Sequence, residues 1–448
     1  MSKMSKMNVM IKFDLQFYYF LIPLKQEVLI AGKKVSTREG IYIKIVDSDG
    51  YFGVGECAPL IGVHQETLDD CLSALEELKE DFRELKIDPK NFNLQERFLG
   101  LLNSDDDDCN DDYDVDDSDE DNDDENSESE LPVSLIFALE EALLLWYLNR
   151  YPAELKSAFE KYLDLQNLQE CKSKDEYERK TSVPIFKLIL KPPANEKAYE
   201  KIVNELKDMY IPAMKVKINS KRSLLEKQLS FIKKIYFDKD LNANIKIVLD
   251  LNLGFLVEDL DYLIKYIERE KIKIEYFEDA TSFDFIPKIS KYKNSIKLGL
   301  DELLFDFVDE NEHLRVKDLP SNARAIIFKP TVVTLSSMFK LVKEMYGDKC
   351  HCQHKEKIPE HNQKIIPVLS STYDSSLTLM VYSLIYSNCF CFIDKFPQGL
   401  GTFDFVASNT DPMSAHAVQM KYERGRLLFD LCFRSIDKSL MELTRINI

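Results

Sequence analysis

The sequence predicts an α/β protein whose centre is a closed (β/α) barrel with an α+β region ahead of it. Two observations carry the barrel. From Val183 onward, short apolar runs rich in β-branched and aromatic residues recur eight times, and amphipathic helical stretches lie between them. Near-continuous apolar runs of that length suit parallel strands buried on both faces, and strand–helix alternation suits a barrel. An open doubly wound sheet would alternate in the same way; eight strands favour closure. A third observation sets the first hundred residues apart: they alternate and then turn helical.

In chain order, residues 12–21, 40–47 and 51–56 are strand-like runs separated by turn residues such as Asp47-Ser48-Asp49-Gly50, which reads as a meander. Residues 67–85 and 94–102 carry helical periodicity. Residues 105–130 then hold 17 Asp and Glu and no Lys or Arg. Such a run buries too little apolar surface to offset its ordering entropy, so a disordered loop is expected. Pro132–Leu148 resumes as a helix, with proline at its start and apolar residues nearly all round, hence buried. A charged helical insert over 152–182 precedes the barrel. The eight barrel runs are PIFKLIL (184–190), AMKVKI (213–218), IKIVLD (245–250), KIEYFE (273–278), IKLGLD (296–301), AIIFK (325–329), KIIPVLS (364–370) and NCFCFI (388–393). Residues 350–364 are longer and more polar than an ordinary helix–strand connection.

A chain of 448 residues with 45% hydrophobic content can bury a sizeable core, which excludes wholesale disorder. The formal charge of -19 belongs to the acidic run; without it 61 acids stand against 59 bases. A near-neutral body lacks the electrostatic footprint of nucleic-acid binding. Nine scattered cysteines make no disulfide framework. No 18-residue apolar stretch exists to span a membrane, and the opening MSKMSKMNVMIKF has neither an apolar h-region nor a cleavage site. The expectation is a soluble protein of a reducing compartment: cytoplasmic, or an organelle stroma or matrix if the source is eukaryotic. Nothing in the sequence specifies an oligomeric state.

Barrel chemistry sits at the C-terminal ends of the strands. There the sequence places Lys215 and Lys217 on the second strand, Asp250 with Asn252 beyond it on the third, Glu278 on the fourth, Asp301 on the fifth and Lys329 on the sixth. A single Asp or Lys at a strand end is ordinarily a solvated loop residue; the ordered set across five successive strands is what carries information. Three carboxylates converging on a barrel axis repel one another unless a cation sits among them. A hard divalent ion with oxygen ligands fits, Mg²⁺ or alternatively Mn²⁺. The two lysine-bearing strands then flank that ion, and a carboxylate substrate bound there would have its α-proton acidified. A lysine base needs its pKa lowered. Lys215 and Lys217 share a strand face; two cations ~6 Å apart at an effective dielectric of ~20 repel by ~3 kcal/mol.

These residues resemble the enolase superfamily of the mandelate racemase/muconate-lactonizing type, and most closely its o-succinylbenzoate synthase family. VSTREGIYIKI (35–45) and GVGECAPLIGVHQET (53–67) are similar to that family's capping-domain start, and LPVSLIFALEEALL (131–144) to its helix before the barrel. MKVKI, VLDLN, EYFED, LGLDE and IFKPTVV match its barrel motifs in order; VLSSTYDSS (368–376) and GLGTFD (399–404) resemble its late segments. The resemblance implies a modified (β/α)8-type barrel, (β/α)7β, with an α+β capping domain. Its expected organisation is a cap over 1–130 with the insert at about 103–130, a helical linker over 131–182, the barrel over 183–400, and a tail over 401–448 packing back on the cap. It implies Lys217 as the base, Lys215 in support, and Lys329 on the opposite face stabilising an enediolate. Asp250, Glu278 and Asp301 would hold Mg²⁺, and Asn252, Arg38, Ser370, Ser371 and Gly399 would lie near a small carboxylate substrate. The segment 25–38 would close over the pocket as a loop. The expected activity is the dehydration of a succinyl-hydroxycyclohexadiene carboxylate in menaquinone or phylloquinone synthesis. An N-acylamino acid racemase would use the same groups, and an inactive barrel serving as a binding scaffold is the alternative from another class. Two departures stand out: Val248 where many relatives have Arg, and Glu278-Asp279-Ala280 where relatives read Glu-Glu-Pro.

Other features read as structural. Cys350, His351, Cys352 and His354, with His361 beyond, could hold zinc or copper, but the spacing lacks a CxxC pair and a polar surface insert is the simpler reading. His64 is equally a structural or a pocket-lining residue, His313 and His416 are surface residues, Trp146 is core, and Cys389 and Cys391 are buried hydrophobes of the last strand.

Overall fold

The computed structural model of the chain describes residues 9–83, 86–87, 131–151, 180–241, 245–289, 292, 296–309, 313–346, 365–389, 396–406, 410–423 and 426–446. Seven parallel strands form one sheet: Phe186–Ile189, Ala213–Lys217, Lys246–Asp250, Tyr276–Glu278, Leu298–Leu300, Ala323–Phe328 and Ile366–Leu369. Each bonds to the next in chain order, so every crossover steps to the adjacent position, as a barrel requires. The two edges then meet through Gln398 and Gly399, which form single parallel bridges to Ile185 and Ser370. Gln398 N donates to Pro184 O at 2.8 Å, and Gly399 N to Leu369 O at 2.7 Å.

The eighth stave is therefore Gln398–Gly399, and the expected strand at 388–393 is corrected. Asn388 and Cys389 end the Ser376–Cys389 helix, and residues 390–393 lie outside the described residues. That helix is buried on nearly every side, so it shows the same unbroken apolar signature as a buried strand. Cys389 is buried as expected, at a helix end.

Inside the barrel, Phe186, Ala213, Val248, Tyr276, Ala325, Ile327, Val368 and Phe396 belong to a buried cluster separate from the main core. The Tyr276 and Phe396 rings stack at 6.3 Å, and Phe186 meets both edge-on. Gly299 makes room for Tyr276: a Cβ there would stand 2.5 Å from its ring. Side chains two residues apart on a strand share a face. Lys215 therefore stands above Ala213, Asp250 above Val248, Glu278 above Tyr276, Lys329 above Ile327 and Ser370 above Val368. The interior packing sets the floor of the site.

A four-stranded antiparallel sheet of Thr444–Ile446, Phe13–Ile30, Lys33–Asp47 and Phe52–Cys57 caps the barrel. Its long hairpin turns at Ala31-Gly32, both at positive φ. The expected loop over 25–38 is thus a pair of strands, with Val28 opposite Val35 and Ile30 opposite Lys33. Its lysine-rich composition reads as loop, but buried Leu24, Val28 and Ile30 alternate with exposed neighbours. The Val133–Arg150 helix lies directly on the Phe52–Cys57 strand. A Cβ at Gly53 would come within 1.9 Å of Ala142 O, and one at Gly55 within 1.7 Å of Ala138 O. Trp146 in that helix is wholly buried and donates to Asp47 Oδ2 at 2.8 Å.

Lys180–Pro184, which spans the expected end of the helical insert at 182 and the start of the first barrel run, is a strand in a small antiparallel sheet with Arg426–Leu431 and Val418–Glu423. Residues 94–102, the acidic run, 152–179 and the Cys350–His361 cluster lie outside the described residues. Among the described residues, no helix is long and apolar enough to cross a membrane.

Candidate active site

The lysine and carboxylate residues at the strand ends form two ion-paired groups at the barrel mouth. Lys215 Nζ pairs closely with Glu278 Oε1 and lies 3.5 Å from Asp250 Oδ2. Lys329 Nζ pairs with Asp301 Oδ2 at 2.6 Å and Glu302 Oε1 at 3.1 Å. Sheet register holds them together, because Lys217 pairs with Asp250, and Asp250 with Glu278. Beyond the last rungs the ladder continues into the loops: Ile218 N donates to Asp250 O, Leu251 N to Glu278 O and Asp279 N to Gly299 O. Asp250, Glu278 and Asp301 are all buried.

Burial pushes the Glu278 carboxyl up to about 8, with Lys215 opposing and Asp250 adding to the rise. Asp301 rises to about 6, again by burial first, with Lys329 opposing. Burial alone would lower Lys215 and Lys329, but the carboxylates around each hold both well above the ordinary lysine range. Lys217 differs: among the described residues it makes no ion pair, and it is half-buried.

Two buried carboxylate oxygens, Asp250 Oδ1 and Glu278 Oε2, have no hydrogen-bond partner among the described residues. Bare anionic oxygens in a buried site are costly unless a cation completes them, and an all-oxygen donor set suits a hard ion. Asp279, Asp301 and Glu302 also bring oxygens within 4.8 Å of one another. Asp279, however, has its oxygens engaged: Oδ1 accepts from Asp301 N at 3.0 Å, and Oδ2 from Glu302 N at 2.9 Å. Asp250 and Glu278 therefore offer oxygens to an ion, Asp301 beside them has Oδ2 held by Lys329, and Asp279 braces the turn behind.

A pocket opens beside this cluster, lined by Gly62 and Val63 of the cap and by Asp301, Glu302, Phe305 and Lys329 of the barrel. The cap thus closes one side of the mouth. His64 fixes that closure. Its Nδ1 accepts from Leu60 N at 2.9 Å and its Nε2 meets Thr331 O at 2.9 Å, just past Lys329. Both ring nitrogens are engaged, so His64 is a structural latch. His313 and His416 pair with Glu344 and Glu442 near the surface.

Residues 13–92 match the family model described as MenC, N-terminal domain. That match covers part of the cap, and the chain as a whole shares its fold with structures of the mandelate racemase/muconate lactonizing type. A 60-residue stretch is 37% identical to an o-succinylbenzoate synthase of Citrobacter koseri, covering 13% of this chain and 18% of that relative. Among solved structures, a mandelate racemase/muconate lactonizing enzyme from Roseiflexus sp. matches with a TM-score of 0.65 at 15% identity, over 95% of this chain and 96% of that one. MenC from Desulfotalea psychrophila matches with a TM-score of 0.59 at 16% identity, over 93% and 99%. A dipeptide epimerase from Methylococcus capsulatus, complexed with Mg and L-Arg-D-Lys, matches with a TM-score of 0.62 at 15% identity, over 95% and 98%.

On this scaffold Lys215, Lys217, Asp250, Glu278, Asp301 and Lys329 come together. Ser370 and Ser371 are buried at the end of the seventh strand, and Ser371 Oγ bonds Thr402 Oγ1. Gly399 lies against Ser370: a Cβ there would stand 2.6 Å from Ser370 Oγ. Two expected substrate contacts are not brought in. Asn252 is exposed in a turn at φ 46°. Arg38 is buried behind the mouth, donating to Ala58 O, Pro59 O and Tyr373 O and facing Asp374 Oδ1 at 3.9 Å. Its donors serve the seam between cap and barrel, because a buried guanidinium must satisfy its N–H groups locally. Sequence reasoning missed Glu302 as the second partner of Lys329 and Asp279 as a brace. The adjacent acids Asp279 and Glu302, each following a candidate ligand, were the available signal.

Proposed function

We propose that this chain is a Mg²⁺-dependent lyase that dehydrates 2-succinyl-6-hydroxy-2,4-cyclohexadiene-1-carboxylate to 2-succinylbenzoate. The observation that carries this reading is the asymmetry of the lysines. Lys215 and Lys329 are each tied to two carboxylates, whereas Lys217 has no ion pair among the described residues. A one-base elimination needs one lysine that gives up and takes back a proton, and another that stays charged. The MenC-type N-terminal domain and the o-succinylbenzoate synthase similarity support the same substrate.

Asp250, Glu278 and Asp301 would hold the Mg²⁺. When bound, it supplies charge stabilisation to a substrate carboxylate. Lys217 removes the proton on the carbon next to that carboxylate. The electron pair moves toward the carboxylate, and the Lys329 ammonium stabilises the developing negative charge. The carbon–oxygen bond to the ring hydroxyl then breaks, and Lys217 returns its proton so that the oxygen leaves as water. The ring becomes aromatic, which makes the step downhill, so the site has only to stabilise the enediolate. In this reading Ser370, Ser371 and the turn at Gly399 would receive the succinyl chain.

The dipeptide epimerases among the structural matches keep a racemase in view, and that chemistry needs both lysines to exchange protons. The test is absorbance-monitored conversion of the cyclohexadiene substrate with and without Mg²⁺, in wild type and Lys217→Ala. Metal-dependent turnover lost in the variant is the expected result. Folded protein with no turnover, but with racemisation of N-succinylamino acids, would replace the lyase by the racemase.

A further inference from the structure

Asp279 bonds to two neighbouring loops at once. It follows Glu278 at φ 43°, a left-handed conformation uncommon outside glycine. Its backbone N donates to Gly299 O at 3.0 Å, and its backbone O accepts from Leu253 N at 2.8 Å. Its side chain accepts from Asp301 N at 3.0 Å and Glu302 N at 2.9 Å, with Leu303 N at 3.4 Å. It is wholly buried. From its place in the loop after the fourth strand, one residue thus bonds to the loop after the third strand and to the strand and turn of the fifth. Those three loops begin at Asp250, Asp301 and Glu278.

We propose that Asp279 is the positioning residue of the carboxylate site: it fixes the three metal-holding side chains at one spacing by cross-linking the loops that bear them. The inference rests on the reading of Asp250, Glu278 and Asp301 as the metal ligands. Asp279 itself is not a ligand, because its oxygens face backbone N–H groups. Groups that orient metal ligands typically change affinity by about 10–100-fold when removed. Aspartate suits the position because a short side chain tolerates the left-handed backbone and reaches the next loop.

The variants are Asp279→Gly and Asp279→Asn. Glycine keeps the left-handed backbone without strain and deletes the carboxylate; asparagine keeps one acceptor oxygen but presents N–H groups to a backbone N–H. Mn²⁺ affinity is measured by electron paramagnetic resonance, and amide hydrogen exchange is followed at residues 301–303. The expected result is a 10–100-fold loss of Mn²⁺ affinity in Asp279→Gly, a smaller loss in Asp279→Asn, and faster exchange at 301–303. Melting temperatures distinguish this from general unfolding, since a merely structural role would lower stability without moving affinity. Mn²⁺ affinity within about threefold of wild type in a folded Asp279→Gly would overturn the proposal. If wild type binds no Mn²⁺, the ligand assignment itself fails and the positioning role falls with it; that outcome is told apart because wild type, not the variant, is silent.

Discussion

Two buried clusters of charge lie close together in this molecule, and they are finished differently. At the barrel mouth, Asp250 and Glu278 each give one oxygen to Lys215 and leave the other without a partner among the described residues. At the seam between cap and barrel, Glu56, Glu140, Glu141 and Asp374 are also buried, yet almost every oxygen has a donor. Glu56 accepts from Ser375 N and Thr378 Oγ1, and Glu141 from Glu56 N. Glu140 caps the Leu335–Tyr346 helix through Leu335 N and Ser336 N, and Asp374 accepts from Thr372. Of these carboxylates' oxygens, only Glu141 Oε1 is buried without a partner among the described residues, and burial lifts that carboxyl well above its usual range, toward the neutral acid. Buried charge by itself therefore does not mark a catalytic site. Two carboxylates on neighbouring strand ends, each leaving an oxygen unpartnered among the described residues, point to one instead, because a single cation would complete both.

The largest effect that separates the two clusters belongs to Lys217. Lys217→Ala should lower turnover by about 10²–10⁴-fold, the usual contribution of a positioned acid–base group. Because Lys217 makes no ion pair among the described residues, urea stability and Mn²⁺ affinity should stay near wild type. Turnover within tenfold of wild type would remove Lys217 as the base and move the chemistry to another lysine.

The seam predicts an effect on stability that depends on pH. Glu56 rises from 4.5 to about 7, first by burial and then by Asp374, while Ser375, Arg38 and Thr378 oppose the rise. A carboxyl raised in the folded state contributes stability that is fully present below its unfolded value and lost as pH climbs through the folded value. Wild type should therefore lose up to about 3 kcal/mol between pH 4.5 and pH 7 from this group. Glu56→Gln keeps an acceptor for Ser375 N and cannot ionise, so its urea midpoint should vary less over that window. Parallel pH curves for the two proteins would show that Glu56 does not titrate in the seam.

The two clusters were unequally legible in the sequence. Each mouth residue ends a run of period-two or apolar residues, so Lys217, Asp250, Glu278, Asp301 and Lys329 could be read in order from strand ends about one βα unit apart. The eighth stave could not, because two residues at Gln398–Gly399 carry no periodicity and the buried Ser376–Cys389 helix supplied a decoy run. The seam was invisible for a different reason. Arg38, Glu56 and Asp374 are far apart in the chain, and their partners are mostly backbone groups, which leave no trace in side-chain spacing. Glu140 and Glu141 are the exception: two acids in the middle of a helix apolar nearly all round mark a buried polar contact, though not its partner.

That pair gives the smallest effect and the finest test of the comparison. Glu140 reaches from the cap's helix to the first turn of the Leu335–Tyr346 helix, where it accepts from two backbone N–H groups and the Ser336 hydroxyl. A carboxylate there satisfies otherwise orphaned donors and complements the positive end of the helix. Glu140→Ala should cost about 1–3 kcal/mol, the range for losing a cap and leaving buried donors unpaired. Glu140→Gln should recover part of it, since its single oxygen can cap one N–H. Because this helix begins only six residues past Lys329, the same variants ask whether the seam holds the mouth in place. Lowered stability with kcat unchanged at 25 °C would mean that the barrel keeps Lys329 aligned by itself. A fall in kcat alongside stability would mean that the two clusters, finished so differently, work as one unit.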